Sequence, residues 1–389
     1  MFTLQDEALK QQGAYITTRE IQQQPELWKE TFAIYQDNRQ ALQTFLDGIS
    51  VKENQKIRVI FTGAGTSQYV GDTIMPHLMR VGNTTRYIFE SIATTNIVSN
   101  PHEYLLPDEP TVLVSFARSG NSPESVATVE LANQLVNQLY HITITCAENG
   151  ELAKKAGDDK RNYLLLMPER SNDKGFAMTG SYSCMALSGL LIFDTTDIKE
   201  KERYVDTLSV LGASVLNQEE TIAELLAPNI DRIVYLGSGS LSGLAREAQL
   251  KVLELTAGKI ATAFDSSMGF RHGPKSFLSP QTLVFGFVSN QEYTQQYDID
   301  VLNEIHADSI VNNVVAIAQY PLETYQGTVF ELGQSSLTLP DGYLAIVDVV
   351  VAQTVSLLAS IKVGNTPDTP SPSGTVNRVV KGVIIHPLD

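Results

Sequence analysis

A loop of small hydroxyl residues carries the clearest chemical signal in this sequence. Residues 118–122 read Arg-Ser-Gly-Asn-Ser, and they follow the apolar run 111–116, which predicts a buried strand. Pro123 comes next and predicts the start of a helix, with Ser122 as its N-cap. Hydroxyls and unpaired N–H groups at the positive end of a helix dipole bind anions such as phosphate. Such a turn is more often only a helix cap, so its interpretation depends on its surroundings.

A second turn places hydroxyls in a similar position. An apolar run leads into Gly63 and Gly65, and Thr66 and Ser67 come directly after them. Together with Glu90, this turn imitates the fingerprint of a dinucleotide-binding fold. The third glycine of that fingerprint is missing, and hydroxyls stand where glycine would let a pyrophosphate approach. We therefore rank a dinucleotide site well behind a site for one compact phosphate or several sugar hydroxyls.

Three charged residues on a predicted helix over 240–256 could carry acid–base chemistry. Glu247, Lys251 and Glu254 are spaced by four and three residues, so they share one face of the helix. Periodicity alone favours a solvated face with an ordinary ion pair. However, the helix follows a glycine turn at the end of a strand, where ligands bind in α/β proteins. Glu254 could therefore act as a base, and Lys251 could stabilise developing negative charge.

A histidine in a tight turn is the other candidate for catalysis. His272 lies in the segment 269–274, which contains two glycines and a proline. Such a histidine is more often structural, but a loop of this shape also presents a catalytic imidazole to a pocket. Arg118 either pairs with a phosphate or is a surface arginine. The sequence has no metal-binding spacing of histidines or cysteines and no nucleophile elbow, so we expect no metal and no serine hydrolase.

A repeat in the sequence predicts the elements that position these residues. Two passages each alternate short apolar runs with helical patterns, and matching positions are nearly equidistant. Gly63 and Gly237 are 174 residues apart, and Thr111 and Thr282 are 171 apart. This pattern predicts an α/β fold with two tandem, doubly wound parallel-sheet domains and flanking helices.

The same pattern divides the chain into four parts. We predict an N-terminal helical segment over 1–50, a first domain over 51–200 and a second over 201–363. The remaining residues, 364–389, form a tail that starts rich in proline and serine. A mobile linker is the simplest interpretation of such a tail. A strand-like apolar run comes after it, so we expect the tail to return to the body and cover something.

Composition narrows the classes of function. A formal net charge of −16, with no basic cluster, argues against nucleic-acid and anionic-membrane partners. Cys146 and Cys184 lie in apolar surroundings and are expected to be reduced core thiols. The apolar run 343–361 is interrupted by polar residues and is predicted to be a buried helix. The reduced thiols point to the cytoplasm, and because the first residues show no secretory leader pattern we expect no signal peptide.

Taken together, these motifs resemble the sugar isomerase (SIS) domain family, present twice. The turn 63–67 and the loop 118–122 resemble its sugar-phosphate grip. The runs 250–254 and 272–274 resemble the catalytic half of the isomerase module of glucosamine-6-phosphate synthase. Residues 377–381 resemble the C-terminal segment that covers the substrate in that enzyme. The likeness extends from about residue 30 to the end of the chain.

A narrower likeness lies in the segments 115–123, 270–275 and 371–380. They are similar to the galactosamine-6-phosphate deaminase/isomerase group, also called tagatose-6-phosphate aldose/ketose isomerases. The resemblance implies a substrate phosphate bound by one set of residues, namely Thr66, Ser67, Ser119, Asn121 and Ser122, with help from Arg118. It also implies a homo-oligomer.

The resemblance further implies a mechanism that needs no metal or organic cofactor. His272 would open the sugar ring, and Glu254 would move the C2 proton to C1 through an enolamine. Lys251 and Lys381 would stabilise the oxyanion at O1. Water would then release ammonia from the C2 imine and leave a keto sugar phosphate, expected to be tagatose 6-phosphate. Because water enters that step, we also expect the enzyme to be classed as a hydrolase.

Two alternatives remain open from the sequence. The first is isomerisation of a sugar phosphate without loss of the amine. The second is a non-catalytic sugar-phosphate sensor, which ranks lower because no basic helical pair precedes residue 50.

Overall fold

A computed structural model describes residues 1–157, 159–371, 373–378, 380 and 382–388. Its first sheet has five strands. They are β1 (Ile57–Thr62), β2 (Tyr87–Ser91), β3 (Thr111–Ala117), β4 (Leu139–Thr145) and β5 (Asn162–Leu166). Their order in the sheet is β2-β1-β3-β4-β5, and every neighbouring pair is parallel.

The second sheet repeats this arrangement. Its strands are β6 (Arg232–Gly237), β7 (Ala261–Ser266), β8 (Thr282–Phe287), β9 (Asn313–Ala318) and β10 (Thr328–Glu331). Their order is β10-β9-β8-β6-β7, again with parallel neighbours throughout. In both sheets the third strand along the chain lies beside the first. The predicted fold class, two parallel α/β sheets with flanking helices, is confirmed.

Helices connect and cover these strands. Those before β6 are α1 (Asp6–Gln11), α2 (Tyr15–Gln22), α3 (Gln24–Asp47), α4 (Thr66–Val81), α5 (Thr94–Ser99), α6 (Pro101–Tyr104), α7 (Pro123–Leu135), α8 (Glu151–Gly157), α9 (Gly180–Phe193), α10 (Ile198–Asn217) and α11 (Glu219–Leu225). Those after it are α12 (Ser240–Leu255), α13 (Glu292–Asp308) and α14 (Asp341–Lys362). Short 3₁₀ helices cover Glu169–Ser171, Gly269–Arg271 and Pro274–Phe277. Every residue of β1 and β3 is buried, as expected for parallel strands with helices on both faces.

The chain forms two compact units. The first-sheet unit contains Leu27–Asp173, Gly180–Lys201 and Val376–Asp389. The second-sheet unit contains Met1–Glu26, Lys174–Thr179 and Glu202–Thr375. The predicted domain bounds at 50, 200 and 363 differ from the bounds of these compact units near both termini. As bounds of domains they stay a prediction.

Helix α14 is the one helix of the described residues that is long and apolar enough to cross a membrane. Within its most apolar window, 89% of the residues are buried inside the protein. The core helix of a globular protein has this character. The apolar run 343–361 is therefore a buried helix, as the sequence predicted.

Both cysteines are free and buried. Burial raises the pKa of the Cys146 thiol to about 12, so this sulfur is protonated near neutral pH. This agrees with the prediction of reduced core thiols.

Candidate active site

The glycine turns after β1 and β6 have nearly the same backbone. Gly65 has φ +57° and ψ −127°, and Gly239 has φ +56° and ψ −122°, in a region that side chains disfavour. The preceding glycine of each turn lies against the helix that comes next. A Cβ on Gly63 would lie 2.5 Å from the backbone of Ser67, and one on Gly237 would lie 2.6 Å from the next helix. Each turn therefore requires both of its glycines. The same turn geometry thus precedes α4 in the first copy and α12 in the second.

The first-sheet unit brings together the two hydroxyl loops. Thr66 and Ser67 are the first residues of α4 and are 4% and 6% exposed. Strands β1 and β3 are neighbours, with Thr62 paired to Ser115. Because the carboxyl ends of parallel strands meet at one edge, the loop 118–122 lies at the same edge of the sheet as the start of α4. This edge is the predicted phosphate site.

Ser122 is the N-cap residue of α7, as predicted, but its side chain makes no capping hydrogen bond. The backbone N–H groups of Ser125 and Val126 donate instead to the Ser122 carbonyl oxygen. The hydroxyl is therefore not used in starting the helix. The Ser119 hydroxyl accepts a hydrogen bond from the Asn121 N–H at 3.3 Å and closes the loop.

Asn121 holds the loop to α8. Its carboxamide oxygen accepts a hydrogen bond from the Glu151 N–H at 3.0 Å, at the first residue of that helix. The N–H of Leu152 donates to the Gly120 carbonyl at 3.1 Å. The side-chain oxygen of Asn121 thus holds the loop in place. If Asn121 also binds phosphate, as the sequence predicts, it does so through its other atoms.

Arg118 is not a surface arginine, because it is only 6% exposed. Its guanidinium donates a hydrogen bond to the Arg378 carbonyl in the C-terminal tail at 2.7 Å. The Arg378 side chain in turn donates to the Asp173 carbonyl at 3.0 Å. The tail therefore returns to the loop that the sequence assigned to phosphate. Lys381, three residues beyond Arg378, lies outside the described residues.

The charged stripe on α12 is buried and not a solvated face. Lys251 is 1% exposed and Glu247 is fully buried, whereas the Glu254 side chain keeps 24% exposure. The Lys251 ammonium lies 2.5 Å from a Glu254 carboxylate oxygen and 3.5 Å from Glu247. A buried ammonium is stable only beside negative partners, and here two carboxylates flank it. Glu254 is the member of the three that a ligand can reach.

His272 is exposed and lies directly after the 3₁₀ turn Gly269–Arg271. Its N–H donates to the Gly269 carbonyl at 2.9 Å, and Gly273 comes next with φ +126°. Arg271 and Lys275, on either side, form ion pairs with α13. Sequence reasoning gave α13 no role, because nothing in its spacing connects it to a segment about 30 residues earlier.

The predicted site residues divide between the two units. The phosphate-binding candidates belong to the first-sheet unit, and Lys251, Glu254 and His272 belong to the second-sheet unit. Within the second, Lys251 and Glu254 are in contact. Among the described residues, no group of three or more histidine, cysteine or acidic side chains could hold a metal ion.

Comparisons with known proteins agree with this architecture. The SIS domain family matches residues 53–193. The chain is 46% identical to the D-galactosamine-6-phosphate deaminase AgaS of Escherichia coli O157:H7, covering 95% of each chain. It is 39% identical to the AgaS deaminase of Shewanella sp. strain ANA-3, covering 99% of this chain and 95% of the relative. The crystal structure of tagatose-6-phosphate ketose/aldose isomerase from Escherichia coli superposes with a TM-score of 0.86 at 43% identity, covering 95% and 96%.

The repeated parallel sheets, the paired glycine turns and the family match define an enzyme of the SIS class, a sugar-phosphate isomerase/deaminase. Within that class the chain belongs to the AgaS family of D-galactosamine-6-phosphate deaminases. A non-catalytic sensor is therefore set aside.

The classification as a hydrolase is wrong. Relatives at 39–46% identity are named deaminases, and the solved relative is named a ketose/aldose isomerase. Water consumption in the last step led to that expectation. The names of the relatives support the classes isomerase and deaminase instead.

Proposed function

We propose that this enzyme converts D-galactosamine 6-phosphate and water to tagatose 6-phosphate and ammonia. The names of its relatives support the proposal, because amine loss and aldose–ketose isomerisation are two parts of this one reaction. The observation that carries it is the Lys251–Glu254 pair. A reachable carboxylate beside a buried ammonium can remove a proton next to a carbonyl and stabilise the charge that develops.

In this proposal the phosphate binds to the hydroxyl loops of the first-sheet unit. The positive end of the α4 dipole, with Thr66 and Ser67, supplies one side. Ser119 and the Ser122 hydroxyl, which does not cap α7, supply the other, and Asn121 contributes through atoms that its contact with α8 leaves available. Arg118 adds positive charge next to this loop.

The chemical steps depend on the residue types. His272 moves a proton from the anomeric hydroxyl to the ring oxygen and so opens the ring. Glu254 takes the C2 proton and returns it at C1, while Lys251 and Lys381 stabilise the oxyanion at O1. The resulting C2 imine adds water and releases ammonia, which leaves the C2 ketone. No step needs a metal or organic cofactor, because a proton next to a carbonyl is acidic enough for a positioned base.

The enzyme is further proposed to act in the cytoplasm as a homo-oligomer, without a nucleic-acid or membrane partner. The free buried thiols and the acidic charge support the compartment and the absence of such partners. The family resemblance supports the oligomer.

The second candidate is isomerisation of a sugar phosphate without amine loss. It is favoured by the name of the solved Escherichia coli relative, tagatose-6-phosphate ketose/aldose isomerase. The two reactions differ in one product, so ammonia distinguishes them.

The test compares wild type with Glu254→Gln on galactosamine 6-phosphate in heavy water. Turnover is measured by ammonia release, and C2 proton exchange by NMR. Loss of a general base should slow both by about 10²–10⁴-fold. Binding of substrate, measured by calorimetry, should stay within about twofold, since the phosphate contacts are intact.

Glu224→Gln is the control, because Glu224 is exposed on α11 of the same unit. An unchanged rate in Glu254→Gln would overturn the assignment of the base. Interconversion of tagatose 6-phosphate and its aldose without ammonia from the amino sugar would favour the second candidate.

A further inference from the structure

We propose that Glu304 on α13 is the positioning residue of His272. The proposal rests on the proposed function, in which this histidine opens the sugar ring. It adds a residue that neither the family resemblance nor the sequence pattern assigned.

Glu304 bridges the two cations that flank the histidine. Its Oε2 lies 2.6 Å from the Arg271 Nε, and its Oε1 lies 2.5 Å from the Lys275 Nζ. Lys275 also lies 2.5 Å from a carboxylate oxygen of Asp308, one turn further along α13. One carboxylate thus fixes the chain on both sides of His272.

The start of the same segment is held independently by Asp298 of α13. Its Oδ1 accepts a hydrogen bond from the Ser267 hydroxyl at 2.5 Å, and its Oδ2 accepts one from the Ser289 N–H at 3.1 Å. Asp298 is 1% exposed, so this anchor belongs to the core. The base of the segment is therefore rigid, and the ion pairs of Glu304 determine the placement of its outer part.

The outer part needs such a constraint. His272 and Gly273 are exposed, and Gly273, at φ +126°, has no side chain and can therefore adopt a wide range of backbone conformations. An imidazole on an unrestrained turn would lose much of its effect, because a displacement of about 1 Å can cost roughly 100-fold in rate. Glu304 restricts the turn from both sides while the imidazole itself stays accessible.

The charges around the segment are consistent with this assignment. The hydrogen bond from Lys275 holds the pKa of Glu304 below its usual range. Burial lowers the pKa of Lys275, but its hydrogen bonds with Asp308 and Glu304 outweigh this and leave it raised. Glu304 is therefore ionised, and Lys275 protonated, throughout the neutral range.

Four proteins test the proposal: wild type, Glu304→Gln, His272→Ala and the double variant. Each is assayed by ammonia release, and its thermal midpoint is measured. Glu304→Gln should lower kcat by about tenfold with KM little changed, because the histidine is displaced and the phosphate contacts remain. His272→Ala should cost about 10²–10⁴-fold. The double variant should be no slower than His272→Ala, because Glu304 acts only through the histidine.

Asp300→Asn is the matched control, since Asp300 is exposed on the same helix. A normal kcat in Glu304→Gln would overturn the inference, and so would an equal further loss when this change is added to His272→Ala. Full activity of His272→Ala would instead refute the role of the histidine in the proposed function, and the inference with it. The outcomes therefore distinguish the two failures.

Discussion

Burial separates the three charged residues of α12 into different roles. Glu247 and Lys251 are inaccessible, and the ammonium between the two carboxylates is held on both sides. Of the three, Glu254 alone keeps a quarter of its side-chain surface exposed. Within this stripe, the Glu254 carboxylate is therefore the group that solvent reaches, and the Lys251 ammonium lies directly behind it.

Arg118 contacts the tail, and this predicts a measurable coupling between the loop and the tail. Arg118→Gln removes a hydrogen bond from a charged donor to the Arg378 carbonyl, which is worth about 1.5–3 kcal/mol. Amide hydrogen exchange at residues 376–378, the part of the tail next to this contact, should then speed up by about ten- to hundredfold. Arg378→Ala should have a similar effect because it loses the bond to Asp173.

Arg80→Gln is the control for this measurement, since Arg80 is exposed on α4. If Arg118 served only the phosphate, Arg118→Gln would raise KM while exchange in the tail stayed at the wild-type rate.

At the level of elements, the duplicated strand–turn–helix units differ in the residues that begin the helix after each glycine turn. The first turn leads into Thr66 and Ser67, and the second leads into Ser240 and Leu241. The backbone of the two turns is nearly the same, so the shared glycines are explained by folding alone. Its two consecutive hydroxyls are the reason we propose the anion-binding role for the first copy.

The matched variants Gly65→Ala and Gly239→Ala test this separation. No atom of the described part of the chain lies within 4 Å of a Cβ added at either position, so the cost comes from the positive φ. Each should lower the free energy of unfolding by about 1–3 kcal/mol. Only Gly65→Ala should also weaken the binding of tagatose 6-phosphate, because it shifts the start of α4.

Stability is measured by urea unfolding and binding by calorimetry. Gly157→Ala is the control, because its Cβ also meets open space and its φ is not positive. Equal losses of phosphate binding in the two variants would contradict the assignment of the anion site to the first copy.

At the scale of the whole molecule, the sequence predicted the sheets, the repeat and the return of the tail, but not which side chains of distant segments form contacts. Apolar runs and glycine turns are local signals in the sequence, and they predicted β1, β3, β6 and β8 correctly. Contacts formed by residues about 30 apart leave no such signal, so Glu304 was missed. Periodicity alone favours a solvated position for the polar stripe of α12. The stripe is buried because α14 packs against this helix, and periodicity cannot show such packing.

The stability of the folded chain should depend on pH through a buried histidine, His141, on β4 of the first sheet. Burial lowers its pKa to about 4, and its Nδ1 has no hydrogen-bond partner among the residues that the structure describes. Between pH 6.5 and 4 the unfolded chain binds a proton that the folded chain does not, so stability is lost as the pH falls. The loss should reach about 3 kcal/mol across this range.

In urea unfolding, His141→Gln should remove this part of the pH dependence, whereas the exposed control His102→Gln should retain it. Equal pH slopes for His141→Gln and wild type would show that the buried imidazole does not oppose folding in acid.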